Sequence, residues 1–262
     1  MSNAVTKAKE TALSTDVMDD IFDNAGDGAT FESSEMQIPF VRVAQSLSPQ
    51  LNKKKPEYID GLSSGDAYNN LTNQMWSGDK GLLVIPCFQT TKYLEFVPRE
   101  SGGGFRGEIS ASDPVLQRTH RMGSKELLPS GNELVKSDQH FCLIVDEEGM
   151  TQPVVIDMKS TQLKVSRRWK TNINMQKMKN PKTGEIIIPP VYATMWKLKT
   201  SEESNDKGDF YNWSVERVGI VEDRNLRLEA KNFRDSIMRG AVKAQSETSS
   251  GSQSRDESDI PF

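Results

Sequence analysis

"EIIIPPVYATMWKLKT" (185–200) and "GDFYNWSVERVGIV" (208–221) decide the fold. Each alternates bulky and polar residues at the period of a strand with one buried face. Tyr192, Thr194, Trp196 and Leu198 share one face of the first run, and Tyr211, Trp213 and Val215 share one face of the second. The charged "SEESNDKG" (201–208) between them reads as the loop of an antiparallel hairpin.

Working outward, "HFCLIVDEEGMTQPVVIDM" (140–158) gives strand, tight turn at Glu147-Glu148-Gly149, and strand. "GLLVIPCF" (81–88) and "YLEFV" (93–97), separated by the polar "QTTK", predict another hairpin. The following "PRESGGGFRGE" (98–108) places Gly102, Gly103 and Gly104 between Arg99 and Arg106, a mobile loop without the Lys-Ser/Thr of a nucleotide-cradling P-loop. Two stretches have helical spacing. In 160–178 Leu163, Ser166, Trp169 or Lys170, and Ile173 line up behind a cap at Ser160 or Thr161, and in 222–243 Leu226, Ala230, Phe233, Ile237 and Ala241 form one apolar stripe. The fold class is mainly β (α+β).

Only 35% of the 262 residues are hydrophobic, low for a globular chain of this length. The polar excess sits at the ends. Residues 1–36 carry a net charge of −6 and residues 246–262 one of −3; since the whole chain is −4, the middle, 37–245, is +5. The division is a disordered acidic N-terminal segment (1–36), a globular domain (37–245) and a disordered acidic tail (246–262). Within the first segment "DVMDDIFD" (16–23) sets Val17, Met18, Ile21 and Phe22 on one helical face, as a transient helix or a docking helix for a protein.

Several classes are excluded. There is no apolar run near membrane-spanning length and no basic-then-apolar start, so a cytoplasmic protein is expected. Cys87 and Cys142 lie in apolar runs and read as reduced core thiols, with a disulfide between them the alternative. Two His and two Cys without close spacing offer no zinc site, and no cofactor is expected.

The strongest charge signal is "KSTQLKVSRRWKTNINMQKMKNPK" (159–182). It holds Lys159, Lys164, Arg167, Arg168, Lys170, Lys177, Lys179 and Lys182 without one Asp or Glu. Helices ordinarily interleave both signs, so such a run calls for an anionic partner, and a phosphate backbone rewards each cation by counterion release. Trp169 lies among the cations, and the adjacent hairpin brings Tyr192, Trp196, Tyr211 and Trp213 with Lys197 and Lys199. Cations for phosphates beside aromatic faces for bases are the elements of single-strand binding, although aromatics at alternating strand positions equally suit a core.

The chain closes on "SQSRDESDIPF". An acidic string ending in an apolar tip suits capture: Phe262 fills a pocket, its carboxylate meets a cation, and the upstream acids steer the encounter. Asp259, Ile260, Pro261 and Phe262, with Asp256 and Glu257, resemble the tail end of bacterial single-stranded DNA-binding proteins; Ser258 stands where a further Asp is common. "IPFVRVAQSLSPQL" and "YIDGLSSGDAYN" resemble stretches of tailed-phage proteins. Together these resemblances imply a phage-encoded single-stranded DNA-binding protein acting in the infected host cell, with an OB-like antiparallel β-barrel carrying added helices. They imply that the tip recruits replication and repair enzymes, and that the acidic tail competes with DNA for the basic groove.

The expected function is therefore non-enzymatic coating of single-stranded DNA in phage replication, recombination or repair, by a protein that is a possible homo-oligomer. Lys164, Arg167, Arg168, Lys170, Lys177, Lys179 and Lys197 are candidates for phosphate contact, and Trp169, Tyr192, Trp196, Tyr211 and Trp213 for stacking. One alternative is a Mg²⁺-dependent nuclease, with Asp157-x-Lys159 as its acidic-x-Lys half and Asp146 as second carboxylate. A recombination mediator or annealing protein would share the binding chemistry.

Overall fold

A computed structural model describes Asp23 and residues 37–206, 208–240, 243 and 244. The rest of the two acidic ends, including the candidate docking helix and the Asp-Ile-Pro-Phe tip, lies outside the described residues.

The strands are β1 (Gln37–Ile38), β2 (Phe40–Val43), β3 (Ala67–Asn69), β4 (Met75–Trp76), β5 (Leu82–Val97), β6 (Gly104–Ile109), β7 (His120–Met122) and β8 (Lys125–Leu127). They continue with β9 (Glu133–Val145), β10 (Thr151–Lys159), β11 (Met178–Lys179), β12 (Ile186–Ile187), β13 (Thr194–Asn205), β14 (Gly208–Ile220) and β15 (Lys243–Ala244). Helix α1 is Leu163–Asn174 and helix α2 is Arg224–Met238. Eleven strands form one sheet in the order β14-β13-β5-β9-β10-β2-β3-β4, with β6 on β5 and β8, carrying β7, on β9.

The sheet curls into a half-barrel, and side chains close part of the gap. Gln45, just past β2, is buried and acts as a surrogate strand partner for β14. Its Nε2 donates to the Tyr211 carbonyl at 2.9 Å and its Oε1 accepts from the Tyr211 N–H at 2.8 Å. Beside it the Thr200 N–H donates to the Gly78 carbonyl at 3.1 Å, and Thr200 Oγ1 donates to the Gly65 carbonyl at 2.5 Å. Glycine is required here, because a Cβ on Gly65 would sit 2.7 Å from the Tyr211 ring and one on Gly78 2.2 Å from Thr200 Oγ1.

Alternation sorts the core into two layers. Val41, Val84, Cys142, Ile144, Val154, Ile156, Trp196, Leu198 and Trp213 face one side, where α1 inserts Trp169. Ile85, Cys87, Leu143 and Val145 build the other, under the Leu226, Ala230 and Phe233 stripe of α2. Asp223 caps α2, its carboxylate accepting from the Asn225 and Leu226 N–H groups at 2.6 and 3.0 Å. The cysteines thus lie in different layers as free buried thiols, Cys87 pushed up to about 12 by burial.

Several expectations need correction. "QTTK" is not a turn: β5 runs through it, pairing Gln89 to Lys92 with His140 to Ser137, and a bulge after Pro86 absorbs the proline. Two threonines suit a strand, and long-range pairing overrides the local polarity. The sheet is not wholly antiparallel, since β2 pairs β10 in parallel. "SEESNDKG" is mostly strand, β13 and β14 staying paired as far as Asn205 with Gly208. Tyr192 does not share the Trp196 face; it sits in a 3-10 turn (Val191–Ala193) and packs against the layer under α2. Helix α1 begins after a 3-10 turn at 160–162 with no side-chain cap, so neither Ser160 nor Thr161 caps it.

Gln45→Ala removes both bonds to Tyr211 and leaves a backbone pair exposed to the seam. It should cost about 2 kcal/mol, at roughly 1 kcal/mol per net hydrogen bond. A lowered urea midpoint with an unchanged slope checks this.

Candidate nucleic-acid interface

Helix α1 is held to the sheet by a buried polar network. Asp138, on β9, is 1% exposed. Its Oδ1 accepts from Thr91 Oγ1 at 2.7 Å, and its Oδ2 accepts from Ser166 Oγ at 2.7 Å and from Lys170 Nζ at 2.6 Å. Burial alone would raise the Asp138 carboxyl, but the bonds from Lys170, Ser166 and Thr91 outweigh it and hold the group below its ordinary value. His140 stacks on Trp169 with centroids 4.7 Å apart, and its Nε2 lies 2.8 Å from Ser166 Oγ. Since that hydroxyl gives its own proton to Asp138, it accepts from His140, which fixes the Nε2–H tautomer. The order is unlike a hydrolytic triad, where the carboxylate orients the His and the His takes the Ser proton. Burial pushes His140 down to about 3.

The periodicity of α1 follows from these anchors. Ser166, Trp169, Lys170 and Ile173 face the sheet, which leaves Lys164, Arg167 and Arg168 in solvent. The basic run is less uncompensated than its sequence implies, because β9 and β13 supply acids to α1 and β10 supplies one to its own Lys159. Lys170 meets Asp138, Lys164 meets Glu203 at 2.8 Å and Lys159 meets Asp157 at 2.9 Å. Arg167, Arg168, Lys177, Lys179 and Lys182 are exposed and form no ion pair among the described residues. The last three belong to a ribbon that continues from α1, β11 pairing β12.

The aromatic half of the site is not assembled. Trp169, Trp196 and Trp213 are 1%, 1% and 2% exposed, and Trp169 meets Trp196 edge-on at 6.1 Å, so none offers a face to a base. Tyr211 is half-buried at the seam, and Tyr192 is half-buried under α2. Lys197 projects from β13 on the face opposite Trp196, away from the layer that α1 covers, while Lys199 pairs with Glu216 at 3.5 Å. The predicted cations of α1 and of β13 therefore belong to different faces. Lys197 and Lys199 instead border a groove of about 660 Å³ with Lys80, Trp76, Asp79 and Met150. Reading the sequence passed over Trp76, the exposed Lys53-Lys54-Lys55, and the polar quartet Ser137-Asp138-Gln139-His140, which resembles a loop in composition yet is wholly buried.

The nuclease constellation is not assembled either. Asp146 Oδ1 is taken up by the hairpin turn, accepting from the Glu148 and Met150 N–H groups at 3.0 and 2.8 Å. Asp157 lies six residues up β10 from Thr151, on the order of 20 Å away at a strand's rise. There it accepts from Ser137 and pairs with Lys159. No group of three or more His, Cys, Asp and Glu able to hold a metal occurs among the described residues, and none of their helices is long and apolar enough to cross a membrane.

Curled sheet, plugging helix and outward basic strip define a mainly β protein. The chain belongs to the Pam3 phage gp34-like protein family, whose model matches residues 8–243. No curated protein and no solved structure matches it.

The buried His140 predicts a pH dependence. Unfolded, a histidine takes up its proton near pH 6.5, whereas His140 folded does so only at about 3; the unfolded state therefore binds more protons between these values, and stability falls as pH drops through them. Wild type should lose about 2 kcal/mol from neutral pH to about pH 5 in urea titrations. His140→Gln, less stable at neutral pH, should lack this slope.

Proposed function

We propose that this phage protein binds single-stranded DNA without sequence preference, coating it during phage replication and recombination in the infected host cell. The observation that carries the reading is the outward strip of Arg167, Arg168, Lys177, Lys179 and Lys182, exposed and without ion pairs among the described residues. A solvated face of one sign on a chain that is acidic overall is a natural seat for a polyanion. The curled half-barrel is read as an elaborated OB-like barrel, an assignment that rests on the curl and the seam at Gln45 and not on strand order. With Trp169, Trp196 and Trp213 in the core, the protein takes hold of phosphates more than bases, which suits coating any sequence. The tip Asp259-Ile260-Pro261-Phe262, with Asp256 and Glu257, serves to recruit replication and repair enzymes, and no reaction is catalysed.

Fluorescence anisotropy of a labelled oligo-dT over a salt series tests this, with duplex of equal length and added Mg²⁺ as controls. Salt-sensitive binding to the single strand with an uncut probe is expected; absence of binding sinks the proposal. Arg167→Glu with Arg168→Glu should weaken binding and reduce the slope of log K against log salt by about 1.4, at about 0.7 per phosphate on a single strand. Deleting 256–262 should abolish partner capture while leaving the unfolding midpoint unchanged and DNA binding intact or tighter.

A further inference from the structure

The ribbon after α1 carries more exposed apolar surface than its surroundings explain. Met175, Met178, Ile186, Ile187 and Ile188 are 71%, 40%, 66%, 42% and 54% exposed within fourteen residues of chain. Among the described residues β11 and β12 pair only with each other, over the register Met178 to Ile187 and Lys179 to Ile186, which sets Met178 and Ile187 on one face of the ribbon and Ile186 with Lys179 on the other. An isolated two-stranded ribbon is marginal in water, and a cluster of this kind marks a contact surface. Lys177, Lys179 and Lys182 are exposed in the same stretch of chain, as are Arg167 and Arg168 on the helix before it. What covers it must be apolar and acidic at once.

One segment of this chain fits. Residues 16–23, "DVMDDIFD", hold four apolar residues at helical spacing, four aspartates and no cation. The C-terminal tail offers only Ile260, Pro261 and Phe262 at its very end, with Arg255 among its acids. Reach permits the contact. The Val155 N–H donates to the Pro39 carbonyl, so the N-terminal segment enters beside the middle of β10. From there to Met175 the path runs along four residues of strand, one 3-10 turn and the twelve residues of α1, at most about 40 Å. The fifteen residues from Phe22 to Gln37 extend to about 50 Å.

We propose that residues 16–23 dock on the β11–β12 ribbon, with Val17, Met18, Ile21 and Phe22 against the face that carries Ile186 and the four aspartates facing Lys179 on that face and the neighbouring cations. The occupant is thereby an acidic, amphipathic segment of the chain itself. This contact needs no nucleic acid, so it stands or falls separately from the DNA-binding reading.

Hydrogen exchange of the full chain by mass spectrometry, without DNA, tests it. Ile21→Ser with Phe22→Ser should speed exchange of peptides covering 176–188 by about tenfold, and Lys177→Glu with Lys179→Glu should do the same to peptides covering 16–23. Because Ile21 and Phe22 precede the folded domain, the first arm remains informative if the charge reversals disturb the ribbon. Rates in 176–188 unchanged within about twofold by the serine variant overturn the proposal. So does ribbon protection that grows with protein concentration and survives the serine variant, since a second copy is then the cover.

Discussion

One buried carboxylate governs the geometry of everything around helix α1. Asp138 sits on the central strand β9 at 1% exposure, and a charge in that place is tolerated only with partners. Thr91 comes from the neighbouring strand, while Ser166 and Lys170 come from one side of α1. Satisfying Asp138 therefore fixes the rotation of the helix about its axis. Trp169, one residue before Lys170, is driven into the layer with Trp196 and His140, and Arg167 and Arg168 must face out. Packing density and polar satisfaction agree on one arrangement, a condition for a single native state.

The parts of the fold that were legible in the sequence are those where local pattern and tertiary context agree. The β9–β10 hairpin, the β13–β14 hairpin with Trp196 and Leu198 inward, and the Leu226, Ala230, Phe233 and Ile237 stripe of α2 all follow from periodicity. The failures have a common cause. β5 crosses "QTTK" because β9 offers it a continuous ladder from Phe88 to Phe96, and β2 joins β10 in parallel from a distant part of the chain. Neither pairing leaves a trace in a local window, since strand propensity reports a fit to neighbours that the window does not contain.

The site was legible in charge and misleading in aromatics. A run of eight cations without an acid is visible as composition, but its compensation by Asp138 and Glu203 comes across space, and that by Asp157 from two residues before the run begins. Likewise Trp196 and Trp213 alternate with lysine and serine, a pattern that suits a stacking platform and a core layer alike. Curling decides between them: once the sheet bends so that Gln45 meets Tyr211, the inward face is enclosed and α1 seals it with Trp169. The buried quartet Ser137 to His140 was hidden for the converse reason, since Ser137, Asp138 and His140 find their partners inside the fold, on Asp157, Thr91, Ser166 and Lys170 of other elements.

Charge segregation along the chain bears on how the proposed binding would look in solution. The ends carry −6 and −3 and the middle +5, and the contour length of 36 and 17 residues exceeds the roughly 8–10 Å over which exposed charges act at moderate salt. Acidic ends that lie near the basic strip already replace part of its counterion atmosphere with covalently attached carboxylates. A strand that displaces them then releases fewer free ions than the number of phosphates it contacts, because part of the exchange is anion for anion. On the proposed reading, the salt slope of the intact chain is thus a lower bound on the phosphates held, and the body relieved of its acidic ends has the steeper slope.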